Sequence, residues 1–305
     1  MFDGIDNMPI NTPLEIELEI ESIGQKKSEL NFAVIFVLAA LAGVYVGFGG
    51  ALATLVSHDL APYVGVGFSK IIAGAVFSIG LILVILGGAE LFTGNNLLVM
   101  PLFSGKIKFK RVARNWGLVY LGNFAGSLLL VGLVFISGYW KLNGSLVGAA
   151  ALQTAVAKVN LTFLESFIRG ILANWLVCLA VWLSLAARDL IGKVIGIAFP
   201  IAAFVAMGFE HSVANMYFIP LGLLLMKENS VLAAAGTLDL SNLTWGSFFV
   251  NNLIPVTLGN IVGGVFFVGF LYWFAYRRYC ERCDIEVDEE TGEVTSSCDD
   301  GVDID

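Results

Sequence analysis

The stretch Gly208-Phe-Glu-His-Ser-Val-Ala-Asn-Met-Tyr-Phe-Ile-Pro220 decides how this chain folds. Glu210 and His211 interrupt an otherwise uncharged segment from Val194 to Met226, and ionisable side chains within so apolar a run are costly enough to mark a working site. A second stretch, Glu90-Leu-Phe-Thr-Gly-Asn-Asn-Leu-Leu-Val-Met-Pro-Leu102, has the same grammar. Asn95 follows Glu90 by five residues, Asn215 follows Glu210 by five, and both stretches close on Pro-Leu. One interruption is written twice.

The surroundings of both stretches are those of a membrane. Mean hydropathy is +0.83 and only 14% of the 305 residues are charged. Apolar runs of 18 or more residues recur, so the chain reads as a polytopic membrane protein and not as one large soluble domain. The first 29 residues are acidic, with no basic start leading into a short apolar core, so the first hydrophobic span is expected to anchor the chain itself. The net charge of −8 is concentrated in two tails, residues 1–29 and 278–305. Neither has the clustered Lys and Arg that nucleic acid requires. Cys280 and Cys283 form a single CxxC with no matching pair, a weak metal or redox signal.

Outward from the two interruptions, each lies in a hydrophobic region of 33 residues, Ile71 to Phe103 and Val194 to Met226. About 20 residues at about 1.5 Å rise cross a hydrocarbon core. Each region is too long for one span and too short for two, so each reads as a broken helix whose loose backbone lies against protein or a cavity. Spans of about 30–56 and 115–140 flank the first, and spans of about 164–186 and 244–276 flank the second. The third and sixth spans share Leu121-Gly-Asn-x-x-Gly126 and Leu258-Gly-Asn-x-x-Gly263. The chain is therefore a duplicated three-span unit, with repeats at about 30–140 and 158–277. An odd number of spans inverts one copy against the other, the architecture of midplane binding sites in transporters. The fold expected is an all-α membrane protein of six spans with broken second and fifth helices.

Local details carry further expectations. Leu14-Glu-Ile-Glu-Leu-Glu-Ile20 alternates strictly between apolar and acidic, which fits a strand or extended segment better than a helix. The connection holding Lys141 and Lys158 reads as an outer loop, and Glu165 and Arg169, at i and i+4, as a local ion pair. Asn123 and Asn260 read as braces between helices. With both ends cytoplasmic, the inner segments hold twelve Lys and Arg against four outside (Lys70, Lys141, Lys158 and Lys227), so both termini are expected inside a cell (inner or plasma) membrane.

The segments Glu90-Leu-Phe-Thr93, Asn174-Trp-Leu-Val-Cys-Leu-Ala-Val-Trp182, Gly208-Phe-Glu-His-Ser-Val-Ala-Asn-Met216 and Asn252-Leu-Ile-Pro-Val-Thr-Leu-Gly-Asn260 resemble the formate/nitrite transporter family, most closely its formate channels. The likeness covers about residues 30–275. It implies an aquaporin-like helical fold assembled as a homopentamer, with one pore in each protomer; neither cofactor nor resident metal is expected. It also implies pore roles for His211, Thr93, Asn174 and Lys158, and apolar constrictions formed by Phe77, Leu81, Leu91, Phe92, Val177 and Phe204. Both tails fall outside the likeness.

Chemistry then assigns expected roles. A charge at the bilayer midplane costs from about 2.5 to more than 10 kcal/mol. Protonating a carboxylate of pKa about 3.7 at pH 7 costs about 4.5 kcal/mol, so formate is expected to cross a dry constriction largely as formic acid, or with its charge matched by a proton. Lys158 would concentrate the anion, Thr93 and Asn174 would hydrogen-bond it, and His211 would relay the proton. Glu210 would orient His211 or secure the broken backbone. Nitrite or hydrosulfide would suit the same architecture. An aquaporin-type channel lacks its Asn-Pro-Ala pair here, and His58 and His211 lie too far apart in sequence to start a metal site for an enzyme.

Overall fold

The computed structural model describes residues 10–287 and 294–298. Its α-helices of five or more residues, in chain order, are α1 (Pro13–Glu29), α2 (Phe32–Ser57), α3 (Val66–Leu86), α4 (Val99–Phe103), α5 (Phe109–Ile136), α6 (Leu146–Val159), α7 (Phe163–Ala186), α8 (Leu190–Ala206), α9 (Ser212–Leu225), α10 (Asn229–Ala235) and α11 (Trp245–Tyr276). Five of them (α2, α3, α5, α7 and α11) are long and apolar enough to cross a hydrocarbon core. The remaining crossing is shared by α8 and α9, on either side of the break at Met207–His211. The matching break, Gly87–Thr93, leads from α3 into a 3-10 turn at Gly94–Leu98 and then α4. Six spans in two halves, each with a broken middle member, is the architecture the duplicated interruption requires. Helix α11 runs on to Arg282, and Cys283–Val287 pairs antiparallel with Val294–Cys298. The thiols of Cys280, Cys283 and Cys298 and the acidic run beyond lie outside the described part of the chain.

Close backbone contact joins each half. A Cβ at Gly126 would stand 1.8 Å from the carbonyl oxygen of Ala40 in α2, and one at Gly263 would stand 2.2 Å from that of Ile171 in α7. Any side chain there would push the paired helices apart, which is why the Leu-Gly-Asn-x-x-Gly motif recurs.

The N-terminal segment differs from expectation. Pro13–Glu29 is a helix and not a strand, opened by a capping box in which Thr12 and Glu15 exchange hydrogen bonds, with Pro13 in the first turn. The alternation that suggested a strand also places Ile16, Ile20 and Gly24 on one buried face at helical spacing. Two acids on that face are buried, and Glu21 is matched by the Ser104 hydroxyl and the Lys106 ammonium. Further contacts hold α1 down: Arg111 on Glu29 (3.1 Å), Arg188 on Glu15 (3.3 Å) and the Asn11 amide on the Leu185 carbonyl (2.7 Å).

Two other local expectations are corrected. Lys158 lies on a helix, α6, because Leu146–Val159 offers a buried face of Val147, Ala151, Leu152 and Ala155 against α9. Glu165 does not pair with Arg169; its carboxylate turns back to the Thr162 amide (2.9 Å) and hydroxyl (2.8 Å) to cap α7. A backbone N–H at a helix start is nearer and better fixed than a guanidinium one turn on.

Both breaks begin at a glycine in the left-handed region, Gly88 at φ 73° and Gly208 at φ 70°. Gly88→Ala and Gly208→Ala are each expected to lower stability by about 1–2 kcal/mol, whereas Gly117→Ala, with nothing near its added methyl, should be neutral or stabilising. Thermal melts of the purified protein in detergent would check the contrast.

Candidate functional site

The two breaks are built alike, bond for bond. After α3, the Ala89 amide donates back to Val84 (2.9 Å), and after α8 the Phe209 amide donates back to Phe204 (3.1 Å), so each helix closes with its last carbonyls satisfied. The chain then runs extended, and its polar backbone needs partners. The Glu90 amide donates to the Leu38 carbonyl (3.2 Å) and the Glu210 amide to the Arg169 carbonyl (3.3 Å). Asn123 brackets the first break: its Oδ1 accepts from Phe92 N–H (2.9 Å) and its Nδ2 donates to the carbonyls of Glu90 and Ala39, both at 2.8 Å. Asn260 brackets the second, accepting from Ser212 N–H (2.9 Å) and donating to the carbonyls of Glu210 (3.0 Å) and Gly170 (2.8 Å). Both asparagines are fully buried.

The carboxylates are clamped in parallel ways. Asn95 donates to Glu90 (2.7 Å) and to Asn115 (2.9 Å), while Asn215 donates to Glu210 (2.7 Å) and to Asn252 (2.7 Å). Each carboxylate also takes a lysine: Lys27 reaches Glu90 at 3.1 Å and Lys158 reaches Glu210 at 2.9 Å. Lys27 stands four residues before Asn31, the cap of α2, and Lys158 four before Thr162, the cap of α7. Helix α1 is thus the counterpart of α6. Pro255 in α11, which has no N–H, follows a turn of wider π spacing at Phe248–Leu253 that includes Asn252.

At the centre the symmetry fails. Leu91 occupies in one half the place that His211 occupies in the other. The Ala214 amide donates to His211 Nδ1 (3.1 Å), so the ring proton belongs to Nε2, which lies 2.8 Å from the Thr93 hydroxyl. His211 is at once the cap of α9 and the donor between the two breaks.

Three spaces lie in line. On the face carrying α1, a cavity of about 450 Å³ reaches Lys27, Leu81, Glu90 and Leu91. On the opposite face, a cavity of about 410 Å³ reaches Lys70, Phe77, Lys158, Arg169, Glu210 and His211. Between them is a neck of about 10 Å³, lined by Val46, Phe77, Leu81, Leu91, Val177, Ile201, Phe204 and His211. So small a space is at the lower limit for a single water. All of its side chains but the imidazole are apolar, and the Phe204 ring lies 6.0 Å from that of His211.

The structure therefore brings His211, Lys158, Glu210, Phe77, Leu81, Leu91, Val177 and Phe204 to one path. It places three expected residues differently. Phe92 lines none of these spaces, because its ring packs on Tyr120 (4.9 Å) and Trp116 (6.0 Å) of α5. Asn174 is fully buried, and its amide is taken by the carbonyls of Asn260 (2.7 Å) and Thr93 (3.3 Å) and by Asn96 (2.9 Å). Thr93 touches the path only through His211. Lys27, Val46 and Ile201 were not picked out by sequence reasoning, although the shared spacing of Lys27 and Lys158 ahead of a helix cap was there to be read.

Paired breaks, a lysine-bearing vestibule on each face and a narrow apolar neck between them define a helical membrane protein that passes small solutes through a path within each chain. The chain belongs to the formate/nitrite transporter family, whose model matches residues 15–274. It is 39% identical over 283 residues to a protein of Methanothermobacter thermautotrophicus named "Probable formate transporter", covering 88% of this chain and 97% of that one. It is 41% identical over 264 residues to "Formate channel FocA" of Escherichia coli (strain K12), covering 85% of this chain and 92% of that one. A solved structure described as "Pentameric formate channel with formate bound" matches with a TM-score of 0.72 and 39% identity, over 81% of this chain and 98% of its own.

The bracketing asparagines yield a symmetric prediction. Asn123→Leu and Asn260→Leu should each cost several kcal/mol, since about 1–3 kcal/mol is lost for every buried backbone group left without a partner. The two losses should be similar in thermal melts, whereas Asn251→Ala, an exposed position of α11, should cost little.

Proposed function

We propose that this protein carries formate, a small monovalent weak-acid anion, across the cell (inner or plasma) membrane through a pore in each protomer, with a proton accompanying the charge. The observation that carries the reading is the neck: a narrow apolar passage of about 10 Å³ in which His211 offers the sole polar side chain. A bare anion there faces a barrier of about 2.5 to more than 10 kcal/mol, and neutralising a carboxylate of pKa about 3.7 at pH 7 costs about 4.5 kcal/mol. Where the neck is dry, the neutral acid crosses more easily.

Each residue then has a task. Lys158 and Lys27 hold positive charge at the two vestibules, each steadied by its glutamate. His211 Nε2–H is the hydrogen-bond donor that meets the carboxylate as it sheds water. Thr93, whose hydroxyl can give or accept, receives that proton in the resting pair and releases it when the carboxylate arrives. Asn174 supports this pair by fixing the Thr93 carbonyl, and no chemistry beyond proton transfer is performed on the solute. The names of the relatives and of the pentameric structure support formate as solute and a homopentamer as the assembly. The excess of Lys and Arg on the α1 face supports cytoplasmic termini, which makes the α1 vestibule the inner one. Helix α1 lines that vestibule through Ile20, Ile23, Gly24 and Lys27, and so forms part of its wall.

Nitrite is the second reading, favoured by the family description itself. Uptake of labelled formate into liposomes, competed by nitrite and by hydrosulfide, ranks the solutes. An inward proton gradient should accelerate formate uptake by the native protein, and His211→Ala should lose that response. Unchanged flux and unchanged pH dependence in the variant would sink the proton-linked account.

A further inference from the structure

A second departure from the repeat lies close to the first. The carbonyl that receives the Glu210 amide belongs to Arg169, while the carbonyl that receives the Glu90 amide belongs to Leu38. One half therefore carries a cation where the other carries an aliphatic side chain. Arg169 is half-buried and lines the vestibule of about 410 Å³ together with Lys70, Lys158, Glu210 and His211.

No close ion pair holds Arg169, and Glu165 acts on it only at a distance. Glu165, one turn earlier, is committed to capping α7. Glu210 is committed to Lys158, Asn215 and, at 3.4 Å, Asn252. No carboxylate stands within ion-pair distance of Arg169 among the described residues, and its one side-chain hydrogen bond is a long one, 3.5 Å to the Gly208 carbonyl. This vestibule is lined by three cations, Lys70, Lys158 and Arg169, against the single carboxylate of Glu210. The α1 vestibule is lined by Lys27 and Lys193 against Glu19 and Glu90, a balanced set. Lysine ion-paired to glutamate adds little field at a distance, so attraction of anions to the far vestibule falls to Arg169 and the exposed Lys70.

We infer that Arg169 is an anion-capture residue of the vestibule opposite α1, selecting planar anions that present two oxygens to the guanidinium fork. A fork of parallel N–H donors fits a carboxylate or nitrite in bidentate fashion, and a one-atom anion such as hydrosulfide or chloride gains only the charge. Capture there lowers the concentration at which this face half-saturates without altering passage through the neck. The inference rests on the transport reading for its consequence, but the binding it asserts is measurable apart from flux.

Two measurements on the full chain test it. In the first, formate uptake is followed over a range of concentrations in intact cells and in inverted vesicles from the same cells. Arg169→Gln should raise the half-saturating formate concentration by about threefold or more at the face bearing Arg169, with the maximal rate held and the other face unaffected. Arg169→Lys should keep the charge attraction while narrowing the preference for formate over hydrosulfide. In the second, modification of Arg169 by phenylglyoxal is read by mass spectrometry in the detergent-purified native protein, where formate and nitrite should protect and equal chloride should not. An unchanged half-saturation together with absent protection overturns the inference. Protection without any formate flux in the native protein overturns the transport reading and leaves the anion site standing. Equal shifts at both faces would show Arg169 to be structural.

Discussion

A helix that stops inside hydrocarbon leaves N–H and C=O groups with no water to receive them, and this chain does so twice. Each unsatisfied group there costs several kcal/mol, so the breaks can exist only if other residues supply every missing partner. Asn123 and Asn260 are the suppliers. A side-chain amide suits the task because it donates and accepts at once without charge. It spans the extended strand of the break and the neighbouring helix, α2 in one half and α7 in the other. The glycines of Leu-Gly-Asn-x-x-Gly serve the same end by bringing the helix backbones near enough for an asparagine to reach both.

The next requirement is to fix the buried glutamates. A buried ion pair gains little net stability, but removing one partner costs about 3–5 kcal/mol because the other charge is stranded. Glu90 and Glu210 are therefore poor stabilisers and good locators. Each must hold its lysine, and the lysine must come from a helix that precedes the repeat's first span. That requirement extends the structural unit beyond the three spans, drawing in α1 on one face and α6 on the other. It also gives α1 a reason to be ordered: with Lys27 withdrawn, Glu90 would stand uncompensated at 4% side-chain exposure.

Much of this was legible in the residues, and the parts that were not have physical reasons. The breaks showed in the length of two apolar regions and in paired Glu and Asn, since bilayer thickness limits a span whatever else the chain does. The packing of α2 on α5 and of α7 on α11 showed in one repeated motif. The segment Leu14 to Ile20 misled because alternation every second residue also satisfies a helix face at 16, 20 and 24, and the signal that discriminates, Thr12-Pro-x-Glu15, lies at its edge. Phe92 misled differently. Within a break there is no periodicity to say which way a ring points, and two aromatic rings of α5 decided it. The pore role of Asn174 is implied by the family resemblance alone, and in the structure its amide is taken by the carbonyls of Thr93 and Asn260 and by Asn96.

A perfectly symmetric pair of inverted repeats would treat its two faces alike, so the sequence differences between the halves show where the faces differ. His211 replaces a leucine at the neck and Arg169 replaces a leucine on the adjoining helix, both on the vestibule away from α1. The polar group that meets the solute in the neck is thus reached first from that side, across a vestibule whose cations outnumber its carboxylates. Solute from the α1 side, once past Lys27, meets Leu91 and Leu81 before the imidazole. No such asymmetry can drive net movement by itself, because flux at equal chemical potential is zero whatever the lining. What it does set is which face presents the imidazole first and which vestibule carries the excess of cations. Duplication provides the path through the chain, and these two substitutions distinguish its ends.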